Sequence, residues 1–302
     1  MIIGVRGTPY KDELLMGIWQ QALISGFSLG SFYVLMAMGF SLIFGVTHAF
    51  NLAHGDLILL AGYLAYALWQ FGHIPFYWTL PLCILFLPVA ALGLQWLLRR
   101  LPPPFELNSL VVTFGLAIIL QNLFLAFFSA DFRMIMLPAA SVLDLPAWSI
   151  LVTANQALLL GLSLLATGAV YLFLHRTFVG KALRATIQDR EGAALAGIKV
   201  ERMQLIAFAV GGGLIGLAGP LFASNMYLYP AGGMEPTLIA IILTIAAGVG
   251  RTRSLLLGGW VLGLAESLTT LFIGTSWREL ISAGVLILIL LWRPEGISAK
   301  KA

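Results

Sequence analysis

A short polar cluster interrupts the apolar sequence near the start of the chain. Its members are His48, Asn51, His54 and Asp56. Histidine and aspartate are suitable ligands for a metal or groups for a proton relay, and the cluster would also suit a polar lining for a solute path. A plainer interpretation is that Asn51 and Asp56 cap a helix that begins near Leu57, with the histidines bonded to backbone. The remaining histidines, His73 and His175, lie at the ends of apolar runs, so no complete metal site is evident.

We therefore assign Asn51 and His54 to the lining of a translocation path and Asp56 to a helix cap, and we predict no metal site. Glu266 is a second candidate, because it is the one acid within a long apolar run. A charge buried in a membrane is costly, so Glu266 is expected to face other helices or water. It would be neutral or paired, with an arginine near Arg251 as one partner.

Several motifs of catalysis and nucleotide binding are absent. The only Gly-Lys pair, Gly180-Lys181, has His175 where the first glycine of a phosphate-binding loop would stand. The sequence also lacks HExxH, GxSxG and CxxC. We predict no catalytic residues, no enzyme activity and no cofactor bound by this chain.

The elements that must position these residues are membrane helices. Of 302 residues, 60% are hydrophobic and 10% are charged, against roughly a quarter charged in soluble domains. The mean hydropathy is +0.96. Cys83 is the single cysteine and excludes a disulfide framework. The composition predicts an all-α, polytopic membrane helical bundle in one domain, residues 1–302, and the net charge of +4 does not indicate nucleic-acid binding.

The apolar runs predict eight or nine transmembrane helices. They cover Leu14–Val46, Leu57–Phe71, Phe76–Leu98, Leu110–Phe128, Ile150–His175, Met203–Met226, Pro236–Gly250, Leu255–Gly274 and Leu280–Trp292. The first run is too long for the apolar core of a cleaved signal peptide. It is expected to stay in the membrane as an anchor.

Basic residues predict the orientation of these helices. The polar stretch Arg176–Arg202 holds six of the 17 Lys/Arg residues, which marks it as a cytoplasmic loop. With alternating spans, 13 of the 17 lie inside, the segment 129–149 is periplasmic and the C-terminus is cytoplasmic. A loop this long, patterned as an amphipathic helix, is expected to dock against a cytoplasmic partner.

Two polar interruptions, Gly45–Asp56 and Ala246–Ser254, each precede a glycine-rich apolar run. They predict broken helices in a weak internal repeat, an arrangement that transporters use at the substrate path. Ordinary cytoplasmic turns are the alternative. Close helix packing is predicted from three GxxxG pairs, which are Gly26/Gly30, Gly212/Gly216 and Gly259/Gly263.

The chain resembles a known family in two motifs taken together. The first is Asn-Leu-Ala-His-Gly-Asp at Asn51–Asp56, and the second is the GKALRATIQDREGAALAGI loop at Gly180–Ile198. Both resemble the LivH-like permeases of branched-chain amino acid ABC importers, in register from about Gln21 to Ile297. The family also serves urea, short amides and aromatic acids, so branched-chain amino acids are the leading expectation for the solute.

The resemblance implies a permease subunit in a bacterial inner membrane. Its partners would be a second homologous permease, two cytoplasmic ATPase subunits that bind ATP and Mg, a periplasmic solute-binding protein and membrane lipid. The family's ATPase-docking element falls on the polar loop, at Gly180, Arg184, Asp189, Ala193, Ala194 and Gly197. The alternative is a secondary transporter or channel for a small polar solute, which would not need such a loop.

Overall fold

The structure is a computed structural model that describes residues 9–137, 142–145, 150–277, 280 and 284. Ten helices and one β-hairpin follow each other in this part of the chain. They are α1 (Pro9–Thr47), α2 (His54–Gln70), α3 (Phe76–Leu98), α4 (Phe105–Phe128), β1 (Val142–Leu145), β2 (Ile150–Thr153), α5 (Ala154–Arg176), α6 (Phe178–Gln188), α7 (Arg190–Leu195), α8 (Val200–Asn225), α9 (Met234–Ala247) and α10 (Thr252–Phe272). A 3₁₀ turn, Thr275–Trp277, comes last.

The predicted helical membrane bundle is confirmed. Six of the described helices are long and apolar enough to cross a membrane, namely α1, α3, α4, α5, α8 and α10. The other two apolar helices are shorter: α2 has 17 residues and α9 has 14. At 1.5 Å per residue α9 is about 21 Å long, less than the ~30 Å hydrocarbon core. The ninth predicted span, Leu280–Trp292, falls outside the described residues apart from 280 and 284.

Helices α1 and α8 form the centre of the bundle. In α1, 89% of the apolar window is buried, against 22% in α4, which lies at the periphery. Large side chains of α3 and α4, such as Leu85 and Val111, remain exposed. This distribution gives the bundle an inner pair of helices and an outer ring whose apolar faces suit lipid or partner subunits.

Glycines set the closest helix contacts, as the GxxxG pairs predict. A Cβ at Gly30 would stand 2.8 Å from the Cα of Trp260, and one at Gly259 would stand 2.8 Å from the carbonyl oxygen of Gly30. A Cβ at Gly212 would similarly stand 2.8 Å from the Cα of Pro88. The pairs on α1, α8 and α10 therefore pack backbone against backbone, with α1 on α10 and α8 on α3.

The start of α5 corrects one predicted boundary. Residues Ile150–Thr153 form β2, paired antiparallel with β1, and are not part of a membrane helix. The reason is a capping box: Thr153 Oγ1 accepts from the Gln156 amide and Gln156 Oε1 accepts from the Thr153 amide, both at 3.3 Å. The sequence Thr-x-x-Gln stops the helix from extending backwards, so α5 begins at Ala154.

The basic residues gather at one end of the bundle. Arg99, after the last residue of α3, pairs with Glu201 in the first turn of α8 at 2.8 Å. Arg253 at the start of α10 donates to Tyr171 Oη near the end of α5 at 2.7 Å. We call this the basic end; it also carries α6 and α7. At the opposite end, Arg133 and Leu228 form a two-bond backbone bridge.

Candidate functional site

The chain reverses between α1 and α2 through residues 48–53. His48 is exposed and takes a positive φ of 55°, a conformation uncommon for a side-chain-bearing residue. Asn51 Oδ1 then accepts from the Ala53 amide at 3.1 Å. A bond from an asparagine side chain to the backbone two residues later forms an Asx turn, which is common in loops. This turn leads directly into α2.

Helix α2 begins deep inside the bundle. His54 Nε2 lies 3.1 Å from the carbonyl oxygen of Met36, so the ring donates this bond. Met36 precedes Thr47, the last residue of α1, by 11 residues. At 1.5 Å per residue, α2 starts about 16 Å before the end of α1 is reached. The connection therefore returns into the bundle before α2 begins, while the predicted broken helix in the membrane stays a prediction.

Two threonines from neighbouring helices hydrogen-bond the backbone of this connection and of the first turn of α2. Thr113 Oγ1 of α4 accepts from the Leu52 amide at 3.0 Å, and its hydroxyl lies within reach of the Phe50 carbonyl at 3.0 Å and of the Ser109 carbonyl at 2.8 Å. Thr237 Oγ1 of α9 accepts from the Gly55 amide at 2.7 Å. Backbone groups away from water need such partners. Neither threonine stands out in the sequence, since each is a single hydroxyl in an apolar run.

The predicted cap role of Asp56 is wrong. Helix α2 begins at His54 with Ala53 at the N-cap, and no side chain caps it. Asp56 lies in the first turn, where its Oδ1 accepts from Gln121 Nε2 of α4 at 3.1 Å. The helix starts earlier than predicted because the reversal is held by neighbouring helices rather than by a local cap. Asp56 instead joins α2 to α4, and its charge still suits the helix N-terminus.

Asn51 and His54 are enclosed by protein, with 1% and 0% exposure. The His54 ring also packs edge-on against Phe40, with ring centroids 5.4 Å apart. Within the described part of the chain, Asn51 Nδ2 and His54 Nδ1 are buried without a hydrogen-bond partner. In this arrangement neither side chain is open to solvent, and their predicted place on a solute path stays a prediction.

The starts of α2 and α9 meet beside this reversal. A Cβ at Gly233, which precedes α9, would stand 2.8 Å from the Asp56 backbone nitrogen, so only glycine fits. Two helix N-termini therefore face the same small region, next to the Asp56 carboxyl group. The second interruption, residues 248–251, lies further toward the basic end, where the Gly250 amide donates to Ser41 Oγ at 3.0 Å. The internal repeat itself stays a prediction.

Glu266 has a different neighbour from the one expected. Tyr33 Oη of α1 donates to Glu266 Oε2 at 2.7 Å, and both residues are buried. Arg251 precedes Glu266 by 15 residues, about 22 Å along the helix axis, so it is too far to pair. The sequence could not reveal Tyr33, because the partner lies on the first helix.

Glu266 also lines a cavity of about 500 Å³ between α1 and α10. Gln21, Ser25, Ser267 and Thr270 contribute further polar side chains to its wall. Hydrogen bonds tie this wall to the bundle, since Ser267 Oγ donates to the Ala22 carbonyl at 2.7 Å. Sequence reasoning missed this polar cavity because its members come from two helices far apart in the chain.

The polar loop folds as two short helices, α6 and α7. Thr177 Oγ1 accepts from the Gly180 amide and caps α6, and Asp189 Oδ1 accepts from the Gly192 amide and caps α7, both at 2.9 Å. At the end of α7, Gly197 has φ +82° and the Ile198 amide donates to the Ala193 carbonyl at 3.0 Å. This is a Schellman motif. The polar loop, whose pattern predicts an amphipathic helix, therefore contains two short helices with defined ends.

The six predicted coupling residues differ in their exposure. Asp189, Ala194 and Gly197 are exposed, whereas Gly180 and Ala193 are buried. A Cβ at Gly180 would stand 2.6 Å from the Cα of Leu174, so this glycine packs α6 on the end of α5. Arg184 is half-buried and its Nε has no partner among the described residues.

Two large apolar side chains are exposed on the same pair of helices. Phe178 is 86% exposed and Leu195 is 91% exposed. We call the exposed set the coupling surface, and its members are Phe178, Asp189, Ala194, Leu195 and Gly197. Exposed apolar residues with a polar rim are typical of a protein-binding site.

Six long apolar helices, a connection that returns into the bundle and an exposed helix pair at one end describe a multi-pass membrane protein. The model of the branched-chain amino acid transport system permease component matches residues 22–290. The chain belongs to this family. Within the residues that the structure describes, no group of three or more His, Cys, Asp or Glu could hold a metal ion.

Relatives cover nearly the whole chain. The high-affinity branched-chain amino acid transport system permease protein LivH of Salmonella typhimurium is 28% identical over 92% of this chain and 94% of its own length. The corresponding protein BraD of Pseudomonas aeruginosa is 26% identical over the same shares. A probable LivH of Methanocaldococcus jannaschii is 27% identical over 94% of both chains. No solved structure matches.

Proposed function

We propose that this chain forms half of the translocation path of an importer for branched-chain amino acids, with ATP and Mg bound by separate cytoplasmic ATPase subunits. The names of its full-length relatives support this solute. A second, homologous permease subunit completes the path, and a periplasmic binding protein delivers the solute. The protein lies in the bacterial inner membrane.

The observation that best supports this function is the coupling surface. Phe178 and Leu195 expose large apolar side chains on two capped helices that project at the basic end. Two large exposed apolar side chains on one pair of capped helices favour a protein partner over a merely solvated loop. An ATPase groove that receives α7 would bury Leu195, and Ala194 would allow the groove to approach the helix backbone closely.

The charge distribution supports the orientation. The ten described Lys and Arg residues at the basic end are Arg99, Arg100, Arg176, Lys181, Arg184, Arg190, Lys199, Arg202, Arg251 and Arg253. Cytoplasmic loops carry such an excess. The basic end is therefore cytoplasmic in this proposal, as is the C-terminus, and segment 129–149 is periplasmic.

The solute path passes beside the chain reversal between α1 and α2. Its support is the physical setting, in which two helix N-termini and the Asp56 carboxyl group meet inside the bundle. Half-helix N-termini suit the carboxylate of an amino acid. Asn51 and His54 reach the path when the helices that enclose them separate during transport, and the polar cavity beside Glu266 is an entrance from the opposite end.

The deciding experiment is ATPase activity of the complex reconstituted in nanodiscs, with each solute presented on its binding protein. Leucine, isoleucine and valine are expected to stimulate hydrolysis several-fold, whereas urea, acetamide and an aromatic acid leave it at the basal rate. If only urea, acetamide or the aromatic acid stimulates hydrolysis, that compound is the solute and the proposed one is wrong. Uptake that needs no ATPase subunit would instead establish a secondary transporter or channel.

A further inference from the structure

A basic cavity of about 530 Å³ lies where the end of α5 meets the start of α10. Arg184, Arg251 and Arg253 line it together with Tyr171 and His175. These residues come from three separate parts of the sequence, and the fold brings their positive charges to one place.

The charges of this cavity are not neutralised within the described chain. No Asp or Glu is among the described residues that line it. The ion pairs found within the described ranges, Arg99–Glu201 and Arg133–Asp131, lie elsewhere. Arg184 Nε is buried without a hydrogen-bond partner there. A concave site with three guanidinium groups is suited to an anion with several oxygen atoms, above all a phosphate.

A second cavity of about 320 Å³ continues the first along the same two helices. Leu164, Gly168 and Leu256 supply its apolar wall, and it shares Tyr171, Thr252 and Arg253 with the basic cavity. Leu164 precedes Tyr171 by seven residues, about 10 Å along α5. The apolar part therefore runs from the basic end toward the middle of the bundle.

This second cavity opens outward, toward the periphery of the bundle. A Cβ at Gly168 would have no heavy atom within 4 Å, and Leu164 is 37% exposed. Neighbouring side chains that face the same way, Leu165 and Leu257, are exposed as well. The groove thus combines an open apolar wall with a basic end, which suits a molecule that has an apolar chain and an anionic head.

We infer that this groove binds an anionic phospholipid of the cytoplasmic leaflet. The lipid phosphate lies among Arg184, Arg251 and Arg253, and one acyl chain lies along Leu164, Gly168 and Leu256. Basic pockets between transmembrane helices on the cytoplasmic side are suited to such headgroups. The choice of leaflet rests on the orientation proposed above, whereas the binding itself does not depend on the transported solute.

A bound lipid of this kind would connect helices that are separate in the sequence. Arg253 already donates to Tyr171 Oη and lies over the same ring, 5.6 Å from its centroid. A phosphate that also contacts Arg184 would connect α5, α6 and α10 next to the coupling surface. The lipid would therefore hold α6 in place at the end of the bundle.

The test is native mass spectrometry of the full-length protein purified from nanodiscs of equal phosphatidylglycerol and phosphatidylcholine. The wild type is expected to retain phosphatidylglycerol selectively. The double variant Arg184→Gln/Arg253→Gln should lose roughly tenfold or more of this retention, because charge-assisted bonds are lost. Arg100→Gln is the matched control: Arg100 is an exposed basic residue at the same end, 3.7 Å over the Trp96 ring, and its loss should change nothing.

Two further measurements test whether the phosphate belongs to a lipid or is free phosphate, and whether the apolar groove takes part in binding. Inorganic phosphate at millimolar concentration should not displace the lipid, because it has no acyl chain. Gly168→Leu fills the open groove and should reduce retention while the protein stays folded. The inference is overturned if the double variant keeps its phosphatidylglycerol, if phosphate alone competes, or if the groove binds no lipid because protein covers it. None of these measurements uses solute or ATP, so their outcome does not depend on whether the proposed function is correct.

Discussion

The phenol oxygen of Tyr33 lies 2.7 Å from a carboxylate oxygen of Glu266, although 233 positions separate the two residues in the chain. The bond joins α1 to α10 in the same interface in which the glycines of both helices pack together. A buried carboxyl group is costly in a membrane, and here a donor from the neighbouring helix stabilises it.

The Tyr33–Glu266 bond should contribute measurably to stability. Tyr33→Phe removes the donor while keeping the ring, and it should lower the free energy of unfolding by about 1–3 kcal/mol. Glu266→Gln keeps an acceptor oxygen and should cost less. Thermal unfolding of the purified protein in detergent measures both. An unchanged Tm in Tyr33→Phe would show that the bond contributes nothing.

Alanine substitutions at two glycines, one in the contact between α1 and α10 and one outside it, should change the stability of the protein differently. Gly259→Ala places a methyl group against the Gly30 carbonyl, and overpacking should cost about 1–3 kcal/mol. Gly161→Ala is the control, because a Cβ there meets no heavy atom within 4 Å. Alanine is the better helix former, so Gly161→Ala should be neutral or stabilise by about 0.5–1 kcal/mol. Equal shifts in Tm would contradict the packing argument.

The link between Asp56 and Gln121 should behave as an interhelical pair. Asp56→Ala leaves the Gln121 amide without this acceptor, and the expected loss is about 1–3 kcal/mol. In a double-mutant cycle, Asp56→Ala and Gln121→Ala should couple by roughly 1 kcal/mol. A helix cap predicts strictly additive effects instead, so additivity would restore the cap interpretation.

The coupling surface should be sensitive to size at Ala194. Ala194→Trp places a bulky ring on the exposed face of α7, and it should abolish uptake and solute-stimulated ATP hydrolysis. The amount of permease in the membrane should stay the same, because Ala194 is exposed in the subunit. Ala194→Ser, which adds one atom, is the matched control and should keep most of the activity. Normal uptake by the tryptophan variant would refute docking at this surface.

The orientation is testable by labelling from each side. Single cysteines at Ser141 and Gln188, in a Cys83→Ala background, should react with an impermeant thiol reagent from opposite sides of the membrane. The first should label in intact cells and the second only after the membrane is opened. Labelling of both positions from one side would reject the topology.

Local signals in the sequence predicted much of this structure. Apolar runs located the helices, and the triple proline at 102–104 lies between α3 and α4, where a helix cannot continue. The stretch Arg176–Arg202 was recognisable as a polar loop with a helical pattern, and it holds α6 and α7. These features depend on neighbouring residues, and a sequence displays neighbours directly.

The features that escaped prediction depend on distant residues. Tyr33 with Glu266, Asp56 with Gln121, and the two threonines that satisfy the reversal all join helices far apart in the chain. The cap assigned to Asp56 failed for this reason, since tertiary contacts moved the start of α2 to His54. Burial of Asn51 and His54 could not be predicted either, because polar residues between apolar runs fit a lined path equally well.

The central place of α1 has a consequence for synthesis. This helix is made before the other described helices, yet its partner surface on α10 follows more than 200 residues later. At ~5–20 residues per second, Glu266 is made roughly 10–50 s after Tyr33. During that interval the phenol of Tyr33 and the open glycine face of α1 must be sheltered by lipid or by the insertion machinery. Because of the order of translation, α1, the most buried helix of the folded protein, is made long before the helix that covers it.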